Sequence, residues 1–129
     1  MNRQGLLHLF FAAALCPVLA GCASGVQHAP VNSRHAQLVV HNSNTRDVNL
    51  YVVNGTTRVR LGTARSMATS QLTIPATYLA RSSGLVLQAD PIGSAITFTF
   101  PAIHASAMDR VELQVGNALQ MSTFAVYAR

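Results

Sequence analysis

Val48-Asn49-Leu50-Tyr51-Val52-Val53-Asn54-Gly55-Thr56-Thr57-Arg58-Val59-Arg60-Leu61 is the stretch that decides the fold. Val48, Leu50 and Val52 recur at every second residue, which places them on one face of a β-strand. Val59 and Leu61 repeat the pattern on the return, facing in, while Arg58 and Arg60 face out. Asn54-Gly55 between the two runs is the strongest hairpin signal in the chain. Asn and Gly tolerate the positive φ of a type I′ turn.

The same period continues on both sides of this hairpin. Gln37 to His41 reads as a preceding strand, closed by Asn42-Ser43-Asn44. Downstream, Gln71 to Ile74 ends at Pro75, and Ala76 to Ser83 offers a single helical turn around Tyr78 and Leu79 before Gly84. Leu85 to Ala89 is followed by Asp90-Pro91-Ile92-Gly93, which has turn chemistry at both ends. Ile96 to Phe100 alternates cleanly, and Arg110 to Val115 turns Val111, Leu113 and Val115 inward. After Gly116-Asn117 a last strand runs from Leu119 to Tyr127, and its apolar parity changes between Met121 and Phe124. That change predicts a bulge or an edge position. Seven or eight short strands with almost no helical pattern predict an all-β domain over 36–129, an antiparallel β-sandwich, immunoglobulin-like or transthyretin-like.

The bulk composition fits one domain: 129 residues, 50% hydrophobic and only 10% charged. All nine basic residues are Arg, against Asp47, Asp90, Asp109 and Glu112, for a formal charge of +5. The excess is modest and spread over several strands. Nucleic-acid binding needs clustered positive charge, so no nucleic-acid partner is expected.

Residues 1–22 have the layout of a secretory signal, with Arg3 as a short basic region, an apolar stretch from Leu6 to Ala20, then small residues. The apolar stretch is shorter than the ~20 residues that cross a bilayer as a helix. It closes on Leu19-Ala20-Gly21-Cys22, which resembles the lipobox of bacterial lipoproteins; the resemblance covers about the first 22 residues. It implies that Leu19, Ala20 and Gly21 are read by the signal peptidase, which removes residues 1–21. It also implies that Cys22 is acylated, and that Ala23 after it permits sorting to the outer membrane, facing the periplasm. One fatty chain holds a protein only marginally, whereas two or more hold firmly, at ~0.8 kcal/mol per buried methylene. Residues 22–35 are small and polar and read as a tether, spanning at most ~50 Å when fully extended. Cys16 would leave with the signal and Cys22 would carry lipid, so the domain has no cysteine for a disulfide. Asn42-x-Asn44-x-x-Asp47-Val48-x-Leu50-Tyr51, Arg58 to Gly62 and Asp90 to Gly93 are similar to small sandwich domains of uncharacterised bacterial lipoproteins. That resemblance implies a fold and a location, and no activity.

Catalytic and metal chemistry find little footing. No G-x-S-x-G elbow is present. His28 and His35 fall in the tether and His41 and His104 at strand ends, with no H-x-x-x-H or C-x-x-C spacing. Asn42, Asn44 and Asp47 resemble a run of calcium ligands but lack the Gly and distal Glu of that loop, and Asx turns account for them better. Asp90 is expected to cap its own turn, and Glu112 to pair across a strand with an Arg. Tyr51, Tyr78 and Tyr127 are expected to pack at the rim of the core. Arg58 and Arg60, two apart on one strand, are the residues placed to meet an anionic partner.

The expectation is therefore a non-enzymatic envelope lipoprotein without cofactor or metal, meeting a protein partner by β-strand addition at an edge such as 119–127. The alternative is a module that binds an anionic envelope glycan or lipid through Arg58 and Arg60. Labelling cells with a fatty-acid analogue tests the anchor: label is expected on the wild-type chain and absent from Cys22→Ser.

Overall fold

A computed structural model describes residues 35–129. The lipobox, Leu19 to Cys22, and the tether up to residue 34 lie outside the described residues. The strands are β1 (His35–Asn42), β2 (Val48–Asn54), β3 (Thr57–Ala64), β4 (Ala68–Pro75), β5 (Val86–Pro91), β6 (Phe98–Thr99), β7 (Arg110–Val115) and β8 (Thr123–Tyr127). A single helical turn, α1 (Ala76–Leu79), follows β4. The strands form two four-stranded sheets, in the orders β4-β1-β7-β8 and β3-β2-β5-β6. The expected β-sandwich is what the chain builds.

All neighbouring strands are antiparallel except β1 and β7, which run parallel with Leu38 beside Val111 and Val40 beside Leu113. The period-two pattern fills the space between the sheets. Leu38, Val40, Val48, Leu50, Leu87, Val111 and Leu113 are fully buried there, with Phe100 and Ile103 closing one end. Phe98 packs edge-on against Phe100, centroids 5.0 Å apart. Where β3 meets β4 the Leu72 side chain lies over Gly62, and a Cβ there would sit 2.6 Å from Leu72 Cδ2, so a larger residue would have to displace that leucine.

Several local expectations change. The hairpin turns on Gly55-Thr56, since Asn54 still pairs with Thr57. Gly55 has φ +58 and Thr56 has no positive φ, so the turn has the Gly-first pattern of type II′ and not type I′. Leu61 sits on a β-bulge opposite Leu50 and Tyr51, and Val59, though aimed inward, is 36% exposed at the sheet edge. Asp90 and Pro91 are not a turn; they complete β5 opposite Asn49 and Val48. The Ile96–Phe100 strand shrinks to β6. Ser94 Oγ binds both the N–H and the carbonyl of Ile96 at 3.1 and 3.3 Å, a local turn that competes with the ladder. The parity change near Met121 comes from a 3-10 turn, Leu119–Met121, after which β8 starts afresh at Thr123.

Strand direction sorts the loops into two ends. Segments 43–47, 65–67, 92–97 and 116–122 share one end. His35, through which the preceding residues join, lies at the other, with the 55–56 turn and segments 76–85 and 100–109. Truncating a core position should separate inside from outside. Leu113→Ala is expected to lower unfolding free energy by ~2–5 kcal/mol, and Ile96→Ala, 68% exposed, by less than about 0.5 kcal/mol, in urea titrations.

Candidate functional site

β3 and β2 place Arg58 and Arg60 on the outer face of their sheet, opposite Val53 and Tyr51. The strand keeps both guanidinium groups on one face, as the spacing requires, but the face has already engaged them. Arg58 crosses over the Tyr51 ring, 4.1 Å from its centroid, and reaches Asp90 Oδ2 at 2.9 Å. Asp90 is therefore the partner of Arg58 and not the cap of its own turn. Arg60 donates to Asn49 Oδ1 at 2.9 Å and to Thr63 Oγ1, both neutral. Of the two, Arg60 keeps its net charge.

The remaining carboxylates are also committed. Glu112 pairs with Arg110 at 2.9 Å, two residues away on the same strand and not across it. Asp47 Oδ1 accepts the Ser66 N–H at 2.8 Å, and Asp109 Oδ2 accepts the Ser106 N–H at 2.7 Å. Among the described residues no group of three or more His, Cys, Asp or Glu is placed to hold a metal.

Asn42 and Asn44 form consecutive Asx turns, their Oδ1 atoms accepting the N–H of Asn44 at 2.9 Å and of Arg46 at 3.0 Å. Their amide groups reach further. Asn42 Nδ2 donates to the carbonyls of Arg46, Ala64 and Arg65, at 3.0, 3.2 and 3.0 Å. Asn44 Nδ2 donates to those of Gly116 and Asn117, each at 3.3 Å. The oxygens a cation would need are thus taken by the backbone. The tyrosines share one arrangement: Tyr51, Tyr78 and Tyr127 each lie under a guanidinium, that of Arg58, Arg81 and Arg110, at 4.1, 5.6 and 5.0 Å. Cation–π stacking thus engages one face of each ring.

A hollow of about 550 Å³ lies on the outer face of the other sheet, lined by His35, Gln37, Gln71 and Arg129 among others. Gln37 donates across it to Gln71 at 3.2 Å. Its lining holds no Asp, Glu or Cys. No helix among the described residues is long and apolar enough to cross a membrane.

Strand edges are the other place a partner can join. β3 is bulged and abuts β4 at the Gly62 corner, and β6 has only two residues. The other sheet ends in β4, eight residues long and paired to β1 alone, and in β8, five residues long and paired to β7 alone. Sequence reasoning picked out β8 through its broken parity. It missed the exposed loop-end side chains, because a single apolar residue in a turn carries no periodic signal.

No protein-family model matches the chain, and no curated protein matches it.

The charge state of the β2–β3–β5 face can be read by elution from a sulfated-polysaccharide column. Asp90→Asn frees Arg58 and should elute at higher salt than wild type, while Arg60→Gln should elute at lower salt. Asp90→Asn should change stability by less than about 1 kcal/mol, because the pair is solvent-exposed.

Proposed function

We propose that this chain is a lipid-anchored lipoprotein of the bacterial cell envelope, held through Cys22 in the outer membrane facing the periplasm. Its sandwich is a non-catalytic protein-interaction module, and the partner adds a strand along β8. The observation that carries this reading is the β8 edge. It ends its sheet on one side, and no strand of the described chain is hydrogen-bonded along its outer side.

An unpaired edge is a row of amide and carbonyl groups that an extended segment of another chain can satisfy, with side-chain pockets setting specificity. Thr123 and Ala125 point to the outer face on β8, opposite Gln114 and Glu112, so an added strand meets a polar surface there. The lipobox resemblance at Leu19 to Cys22 supports the anchor, and the commitment of all four carboxylates to structural bonds argues against hydrolytic chemistry. An anionic glycan or lipid ligand is less favoured, because Asp90 already neutralises Arg58.

Affinity capture with the intact lipidated chain, compared with an unrelated lipidated control, tests the reading. A reproducible set of envelope proteins is expected with wild type. Thr123→Lys combined with Ala125→Lys should lose it, since lysines on an edge strand oppose further pairing. Equal recovery with the control, or recovery unchanged in the double variant, rules out the β8 edge.

A further inference from the structure

The loop end opposite His35 combines three features. The first is exposed apolar surface. Met67 is 70% exposed, Ile92 52%, Ile96 68% and Met121 74%, and all four lie on loops of this end. Isolated exposed apolar residues are ordinary, but a group on neighbouring loops marks an interaction surface. Ile96 lines a notch of about 210 Å³ between segments 91–96 and 117–120, floored by Asn44 to Arg46. Met121 follows Gln120, the last residue of that lining, in the chain. Met67 stands on the other side of the same floor, its N–H bonded to Asn44 O at 3.2 Å.

The second feature is rigidity. Asn42 ties segment 43–47 to 65–67, and Asn44 ties it to 116–122. Arg46 Nη1 ties it to 92–97, donating to the carbonyls of Ile92 at 3.3 Å and Gly93 at 2.6 Å. The Asn42 and Asn44 side chains that make two of these ties are buried, 2% and 5% exposed, while the Arg46 bonds lie at the surface. All four loops are keyed to one another through 43–47. Within that frame Met67 holds φ +52, a left-handed conformation rare for a residue with a side chain. Strain of that kind persists where the surroundings over-determine it, and it concentrates at recognition sites.

The third feature is charge. Arg46 and Arg65 flank the apolar group, and neither forms an ion pair among the described residues. The acid nearby, Asp47, is held by the Ser66 N–H.

We infer that this end is a preorganised docking surface for a protein partner whose apolar patch is rimmed by carboxylates. Two copies of this chain would bring like-charged Arg46 and Arg65 rims together. A bilayer is the wrong occupant, because interfacial binding favours Tyr and Trp, whereas these loops contain no aromatic residue and Tyr78 and Tyr127 lie at the opposite end. Methionine and isoleucine on fixed loops suit a packed protein interface, and rigid loops lose little freedom on binding. The surface is independent of the β8 edge. It does not depend on the lipid-anchor reading.

The test places a photo-reactive amino acid in the full chain, in its own host, at Ile96 or Met121, and at Thr73 or Gln114 on the outer sheet face as controls. One protein species should cross-link from Ile96 and Met121 and not from the controls. Purified, that protein should bind the wild-type chain more weakly as salt rises. Ile96→Asp with Met121→Asp should weaken binding roughly tenfold or more. Thermal unfolding of that variant should match wild type, since both side chains are exposed. Thr123→Lys with Ala125→Lys should not weaken this affinity, and Cys22→Ser should alter location alone. Cross-links to a second copy, to lipid or to polysaccharide, cross-links equal at all four positions, none at all, or an affinity that the Asp variant does not change would each overturn the inference.

Discussion

Apolar burial between two sheets, with no covalent cross-link through it, is the constraint on which the rest of this structure depends. The chain's two cysteines, Cys16 and Cys22, both precede the domain. Closure therefore rests on how completely Leu38, Val40, Leu50, Leu87, Val111 and Leu113 exclude water, and each is fully buried. At roughly 25 cal/mol per Å² of apolar surface removed from water, such contacts are the main favourable term available. Both outer faces can then be polar. They are, with Gln37 bonded to Gln71, His41 to Thr69 and Arg58 to Asp90.

Polar side chains finish what the core begins. Loops must satisfy their backbone groups without a ladder, and an orphaned buried carbonyl costs about 1–3 kcal/mol. Asn42 and Asn44 provide for several at once, which explains why two amides are the most buried polar residues of the domain. The stacked Tyr–Arg pairs act similarly on the faces, covering apolar ring surface with a group that stays hydrated. Most of the polar chemistry visible in the sequence is thereby spent on architecture.

That allocation explains what was legible and what was not. Strands with a buried face, such as Val48 to Val53 and Arg110 to Val115, were readable because burial enforces alternation residue by residue. Short-range competition was not. Whether Ser94 would divert Ile96 from a strand, or Gly55 would lead the hairpin turn instead of following Asn54, depends on single hydrogen bonds and one φ angle. The partners of Asp90 and Glu112 were misjudged for a related reason: an arginine reaches far enough that the nearest carboxylate in space is not fixed by strand spacing. Arg58 and Arg60 were correctly placed on one face, yet sequence alone does not distinguish an open guanidinium from an occupied one. The left-handed backbone of Met67 had no sequence signal, since Met favours that conformation no more than most residues do.

The parallel pairing of β1 with β7 has a consequence in time. β1 is the first strand, and it occupies the interior of its sheet, between β4 and β7. Its neighbour on one side is a strand whose last residue is Val115. The pairing of β1 on that side thus awaits a segment from far along the chain, and loop closure over that separation must precede any reward from it. The β2–β3 hairpin can form as soon as it is made. The sheet that holds β1 therefore cannot be complete until residues 110–115 are present.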